Sequence, residues 1–280
     1  MSLDDQQLSA RDDLETRGHL SGTPSGDSLG QPQESVYRQG HSQEEPAFLR
    51  PDRARLIVLE GIDLSGRTTQ VQLLREWLIS QQYRVTTTAW RTSPLISDIL
   101  MQARARPPLR PLTYSMLYCA DHLDRTERVI KPALAQGEIV LADRYTYTAF
   151  ARDEARGLKR EWVRNLYRWT VEPDMVFYLH ISPEEAVRRR MALQQPAKAK
   201  GKEQKRNGKN EKSRLPAVTV PLPYLSQDAL ESFRDFEMKM YSQYQNMQKE
   251  LGFRVIEGSQ SIELVQTMLR RSVMQLLLEV

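Results

Sequence analysis

Apolar positions along this chain fall into short runs that alternate with longer periodic stretches. Leu56-Ile-Val-Leu-Glu60 is an apolar, β-branched run that ends at a glycine, the pattern of a strand buried on both faces. Beyond it, Val71, Leu74, Trp77 and Leu78 recur at helical spacing and predict a helix over about 68–80. Four more strands are expected at 84–89, 139–142, 175–181 and 253–257, with Gly137 stopping the helix before the third strand of the chain. Helices are expected over about 94–104, 113–136, 159–170, 184–193 and 226–251. The last has a readable start: Ser226 as N-cap, Asp228 in the first turn, and Leu225 stapling to Leu230. Strands alternating with helices predict an α/β, three-layer domain over 51–280, with a parallel sheet and helices on both faces.

Two segments break the pattern. Residues 1–50 are rich in Gly, Ser, Gln, Pro and acids, with a net charge of −5 from nine Asp/Glu and four Lys/Arg. They hold too little apolar surface to offset the entropy of ordering, which predicts a disordered acidic and polar tail. Residues 194–223 interrupt the helical pattern. Between 198 and 214 eight Lys/Arg oppose only Glu203 and Glu211, and prolines at 196, 216, 221 and 223 bracket the run. This reads as a basic loop inserted between two helices, an extension of a lid.

Composition narrows the picture. The net charge of +4 demands no nucleic-acid partner, because the basic excess is local. The single cysteine, Cys119, excludes a disulfide framework and a cysteine-built zinc site within one chain, and fits a reducing, cytoplasmic compartment. There is no run of 18 apolar residues, so no membrane span is expected. The first 50 residues lack an apolar stretch of the secretory kind and carry too many acids for a mitochondrial presequence.

The chemistry lies in Gly61-Ile-Asp-Leu-Ser-Gly-Arg-Thr-Thr69, between the first strand and the first helix. It matches the phosphate-binding loop G-x-x-x-x-G-K-[ST], with Arg67 at the lysine position. Glycines let backbone wrap closely around phosphates, and free amides at the helix start bind the anion with the help of the helix dipole. Thr68 is placed to ligate Mg²⁺ through its hydroxyl, and Thr69 to reach toward the α-phosphate. Arg67 keeps the positive charge but is larger, planar and bidentate.

The run Leu56–Gln70 closely resembles the opening of thymidylate kinases, which end the loop in Gly-Lys-Ser-Thr-Gln. Asp143-Arg144-Tyr145 resembles their Asp-Arg-Tyr/His motif. Tyr118-Cys-Ala-Asp-His122 and Val129–Val140 look like the acceptor-site helix and the strand after it, and Pro173-Asp174 and Ser259-Gln-Ser261 fit the same pattern. The resemblance covers about 54–275. It implies a P-loop kinase with a five-stranded parallel sheet, often dimeric, that moves the γ-phosphoryl of ATP to a deoxynucleoside monophosphate, dTMP foremost, with Mg²⁺. It also implies roles. Asp63 would bridge the acceptor and the metal region, Asp143 would lie near the Mg²⁺ shell, and Arg144 would hold the acceptor phosphate. Tyr118 would stack on the base, and Arg188, Arg189 and Arg190 would open the lid, with Arg189 the candidate to reach the transferring phosphates. Thr148 would line the acceptor site. Phosphoryl transfer needs chiefly positioning and positive charge, which these residue types supply.

The chain departs from the family at the acceptor side. His122 replaces an arginine, exchanging a fixed charge for one that titrates near neutrality. Arg152 stands where an aromatic is common and is a candidate to supply the missing charge. Arg91 is a second candidate for the acceptor phosphate. Tyr118 also reads as a core residue on a helix, Asp143-Arg144 as a surface ion pair, and the three arginines as a solvated helix face. Two functional alternatives stand beside a dTMP kinase: another acceptor or a polyphosphate donor, and a nucleotide-binding regulator in which Arg67 has abolished catalysis.

Overall fold

The structure, a computed structural model, describes residues 50–104, 109–194 and 227–279. The expected tail, most of the basic insertion and the Ser226 cap lie outside them. Five strands form one sheet: β1 (Arg55–Glu60), β2 (Val85–Ala89), β3 (Ile139–Asp143), β4 (Met175–His180) and β5 (Arg254–Glu257). Every pairing is parallel and the order is β2-β3-β1-β4-β5, so β1 is central. The expected α/β sheet of five parallel strands is what the chain forms.

Burial on both sides explains why β1 is apolar without alternation. Ile57 and Leu59 pack against Leu74 and Leu78 of α1 (Arg67–Ser80) and Leu269 and Val273 of α9 (Ile262–Leu278). Leu56 and Val58 pack on the opposite face against Ile130 and Leu134, between α3 (Pro111–Arg125) and β3. A further cluster joins Ile62 and Tyr178 to Met240 and Tyr244 of α8 (Gln227–Leu251) and to Ala186 of α7 (Pro183–Gln194).

The single helix expected over 113–136 is in fact three pieces: α3, a π-helical turn at Thr126–Ile130, and α4 (Lys131–Ala135). Pro132 has no N–H for the helical ladder, and the widened turn ahead of it absorbs the mismatch. The remaining expected helices appear as α2 (Ser97–Arg104) and α6 (Arg160–Leu166), each shorter than the sequence reading, and as α7 and α8.

Among the described residues, two helices lie outside the expected set. The first, α5 (Thr146–Ala155), buries Thr146, Thr148, Arg152 and Asp153 together with Ala149 and Ala151, so polar residues on its inward face mask the hydrophobic period. The second, α9, has a clear signal in Val265, Leu269 and Val273, and its N-cap Ser261 accepts from Leu264 N.

Candidate active site

The C-terminal ends of parallel strands are where such folds bind ligands, and here the loop after β1 meets the end of β3. Three residues of this loop hold left-handed backbone: Gly61 (φ 148), Leu64 (φ 65) and Gly66 (φ 95). A Cβ at Gly61 would lie 2.7 Å from Leu179 O, so glycine is required there. The loop delivers α1 with Gly66 as its N-cap and no side chain on its first amides. That leaves the start of a 14-residue helix as an anion site.

Arg67 turns back into this loop and is 7% exposed. Its Nη1 donates to the carbonyls of Gly61 and Ile62 and to Ser65 Oγ at 2.9 Å, and its Nε donates to Asp143 Oδ1 at 3.2 Å. Thr68 Oγ1 donates to Asp143 Oδ2. Thr69 is exposed on the first turn of α1. Asp143 comes from the last position of β3, in register with Leu59 of β1, which brings it beside the loop.

Arg144 follows in left-handed conformation (φ 73), its N–H bonded to Leu59 O. Its guanidinium donates to Asp63, to Gly61 O at 3.4 Å and to Thr148 Oγ1 at 3.2 Å. Burial works to lower its pKa, but Asp63, Tyr244, Asp143 and Glu60 outweigh that and keep the cation charged. Asp63 remains 54% exposed. Thr148 donates to Glu60 Oε2 at 2.6 Å, and its oxygen lies 2.8 Å from Tyr244 Oη.

The three arginines of α7 part ways. Arg188 is exposed and pairs with Glu185. Arg189 reaches Leu64 O at 3.0 Å and Gly258 O at 2.8 Å, joining the helix to the phosphate loop and to the turn after β5. Arg190 is buried, its guanidinium 5.7 Å from the Phe233 ring centre.

Two carboxyls here were not found from the sequence. Glu237 of α8 is buried and accepts the Asp63 N–H at 3.0 Å. Burial, and then the charge of Asp63, push its pKa up to about 7. No local pattern links residues 174 apart. Glu60 is wholly buried and accepts from Tyr145 N, Thr148 N, Thr148 Oγ1 and Tyr244 Oη; burial raises its pKa. Its position at the end of an apolar strand, just before the loop, was the available signal.

On the acceptor side the aromatic candidate is enclosed. Tyr118 has the Trp90 ring centre at 4.8 Å, Tyr114 at 4.6 Å and the Arg152 guanidinium carbon at 4.1 Å from its own ring centre. Arg152 is held by Asp153, with Nε to Oδ1 at 2.6 Å and Nη2 to Oδ2 at 2.9 Å. Arg91, in left-handed conformation (φ 66), is tied through its N–H to Asp121 at 3.0 Å. Buried Asp121 also accepts from Ser93 N and from Arg125 Nε.

His122 needs correcting. It is fully buried, edge-on to Tyr145 and Tyr167, with Nε2 2.9 Å from Thr170 Oγ1. Burial, and then the Arg125 cation, lower its pKa well below the usual value. The expectation of a charge titrating near neutrality at this position fails, because the imidazole is a neutral core group.

The Thr68–Asp143 pair fits a hard divalent cation. The hydroxyl donates its proton to the carboxylate, and its oxygen keeps lone pairs for a metal. Among the described residues no cluster of three or more His, Cys, Asp or Glu is placed to hold a metal. A cation there would draw the rest of its shell from phosphate and water, as Mg²⁺ commonly does.

Comparison with known proteins bears directly on this geometry. The family profile described as thymidylate kinase matches residues 59–217. A protein of Saccharolobus solfataricus described as probable thymidylate kinase 2 is 34% identical over 221 residues, covering 78% of this chain and 95% of the relative. Proteins described as probable thymidylate kinase from Thermococcus kodakarensis and Pyrococcus abyssi are 36% and 35% identical over 142 and 147 residues. They cover 48% and 50% of this chain, and 69% and 71% of the relatives. A parallel sheet of order 2-3-1-4-5, a phosphate loop after its central strand and an aligned relative matched along nearly its whole length lead to one assignment: the chain belongs to the thymidylate kinase family.

Proposed function

We propose that this enzyme, a nucleoside monophosphate kinase, transfers the γ-phosphoryl group of ATP to dTMP with the help of Mg²⁺. One observation carries the reading. The free helix start after the 61–66 loop meets Arg67, Asp143, Arg144, Asp63 and Arg189 at the C-terminal ends of the central strands. Amides at the helix start hold donor phosphates. Arg67 and Arg189 set positive charge on either side of the loop, and neither needs to reorganise far, since carbonyl oxygens already fix both. Arg144 faces the acceptor phosphate, and Asp63 limits its swing. Thr68 and Asp143 would hold Mg²⁺, which when bound draws charge from the phosphoryl oxygens.

A second reading keeps the chemistry and changes the acceptor. It is favoured by the enclosure of Tyr118 between Trp90, Tyr114 and Arg152, which occupies the ring a thymine would stack on. One experiment addresses both: the purified chain with ATP, Mg²⁺ and a panel of ribo- and deoxynucleoside monophosphates, products separated by anion-exchange chromatography. Highest kcat/KM on dTMP supports the first reading, and highest on another monophosphate the second. Turnover on none overturns both and favours a regulator.

A further inference from the structure

Arg67 is bound at two chemically different places at once. Nη1 caps the carbonyls of Gly61 and Ile62, while Nε pairs with Asp143 Oδ1 at 3.2 Å and Nη2 lies 3.9 Å from Asp63 Oδ1. Lysine carries its charge and its three donors on a single nitrogen at the end of a flexible stem, whereas guanidinium spreads five donors over three nitrogens in a plane. A lysine capping the loop carbonyls would have no second nitrogen for Asp143. With arginine, both oxygens of Asp143 are satisfied from within the chain, Oδ1 by Arg67 and Oδ2 by the Thr68 hydroxyl.

The consequence is electrostatic. A triphosphate entering the loop meets Arg67, Arg144 and Arg189, and is opposed by the carboxyls of Asp63, Asp143 and Glu237. Where the loop carries lysine, the carboxylate at position 143 faces those phosphates unless a divalent cation lies between them. Here the same carboxylate is paired before any ligand arrives, and Arg67, nearly buried, holds that pair in a water-poor setting where it is weakly screened.

We propose that Arg67 supplies part of the charge neutralisation a divalent cation would give, so that the loop takes metal-free nucleoside triphosphate nearly as well as its Mg²⁺ complex. The inference rests on reading 61–69 as the donor cradle, and it goes beyond that reading in assigning a metal-sparing role to one side chain.

Calorimetric titration of the full chain with ATP, in excess Mg²⁺ and in excess chelator, tests it without requiring turnover. Removing Mg²⁺ is expected to weaken ATP binding to the wild type by less than about tenfold, and to Arg67→Lys by more than that. A wild-type loss of tenfold or more overturns the proposal, as does an Arg67→Lys variant with the metal dependence of the wild type. If Arg67→Lys does not fold, as judged by circular dichroism, Arg67→Gln serves instead. It removes the charge and keeps a planar donor, and excess chelator is expected to weaken its ATP binding by more than about tenfold; a loss no larger than that of the wild type overturns the proposal. Binding with Mg²⁺ alone overturns this proposal and leaves the donor site standing. Binding in neither condition overturns both.

Discussion

The donor and acceptor sides of this site use the same residue types in opposite ways. Around the phosphate loop, Arg144 and Arg189 lean on backbone carbonyls and on carboxylates such as Asp63, which stays more than half exposed, while Arg67 is nearly buried and already paired with Asp143. On the acceptor side, Arg152 and Arg125 are sealed. Arg152 lies among Trp90, Tyr114 and Tyr118 and is paired with wholly buried Asp153, and Arg125 is paired with wholly buried Asp121. A cation resting on carbonyls beside an open edge is ready for an incoming anion. One closed in with its own carboxylate is already neutralised, and its removal is felt first as instability. Position in the fold, not side-chain identity, separates reagent from scaffold here.

The sharpest way to break the comparison is Arg152→Ala. It leaves Asp153 charged and buried, and a loss of about 3–5 kcal/mol in urea unfolding is expected. The double variant Arg152→Met with Asp153→Asn, which buries no charge, should recover much of that. If Arg152→Ala instead stays stable and merely loses acceptor affinity, the acceptor side resembles the donor side after all. Next is Arg144→Gln, expected to lower kcat/KM roughly 100–1000-fold while leaving the melting temperature close to wild type, since it removes one preorganised donor at the open edge. A melting temperature that collapses with the activity would move Arg144 to the scaffold.

Acidity offers a third, smaller separation. Glu237 has its pKa raised from 4.5 to about 7, so the folded state prefers it protonated. Its contribution to stability is complete below 4.5 and is lost as pH rises through about 7. His122 has its pKa lowered, so its contribution is present above 6.5 and is lost as pH falls below that value. Denaturation midpoints measured across this range should therefore show Glu237→Gln gaining on the wild type toward alkaline pH and His122→Gln gaining toward acid. Parallel curves for variant and wild type would remove either residue from the account. The smallest expected effect is that of Tyr118→Phe, which deletes a hydroxyl bonded to Tyr114 Oη at 2.8 Å; about 1 kcal/mol of stability is expected to be lost, by chemical denaturation.

Much of this architecture was legible because it obeys local rules. The five strands, the first helix and the loop at 61–69 follow from apolar runs and glycine placement, and Asp143-Arg144 could be placed at a strand end. What escaped depends on contacts across long stretches of chain. Helix α5 hides its buried face behind Thr, Arg and Asp, residues that ordinarily mark solvent. The neutral state of His122 is set by Tyr145, Tyr167 and Arg125, only the last of which is close in sequence. Glu237 offers no signal on its own helix, because its importance lies in one amide at Asp63.

That last bond also dictates an order of events during synthesis. The phosphate loop emerges early, yet the carboxyl that accepts the Asp63 N–H follows 174 residues later, and the Tyr244 hydroxyl that caps Glu60 follows 184 residues later. Domains take shape as the chain leaves the ribosome, and pairings so far apart close slowly. A nascent chain ending short of α8 therefore holds its phosphate loop through Arg67, Arg144 and Arg189 but lacks the Glu237 acceptor for Asp63 and the Tyr244 hydroxyl for Glu60.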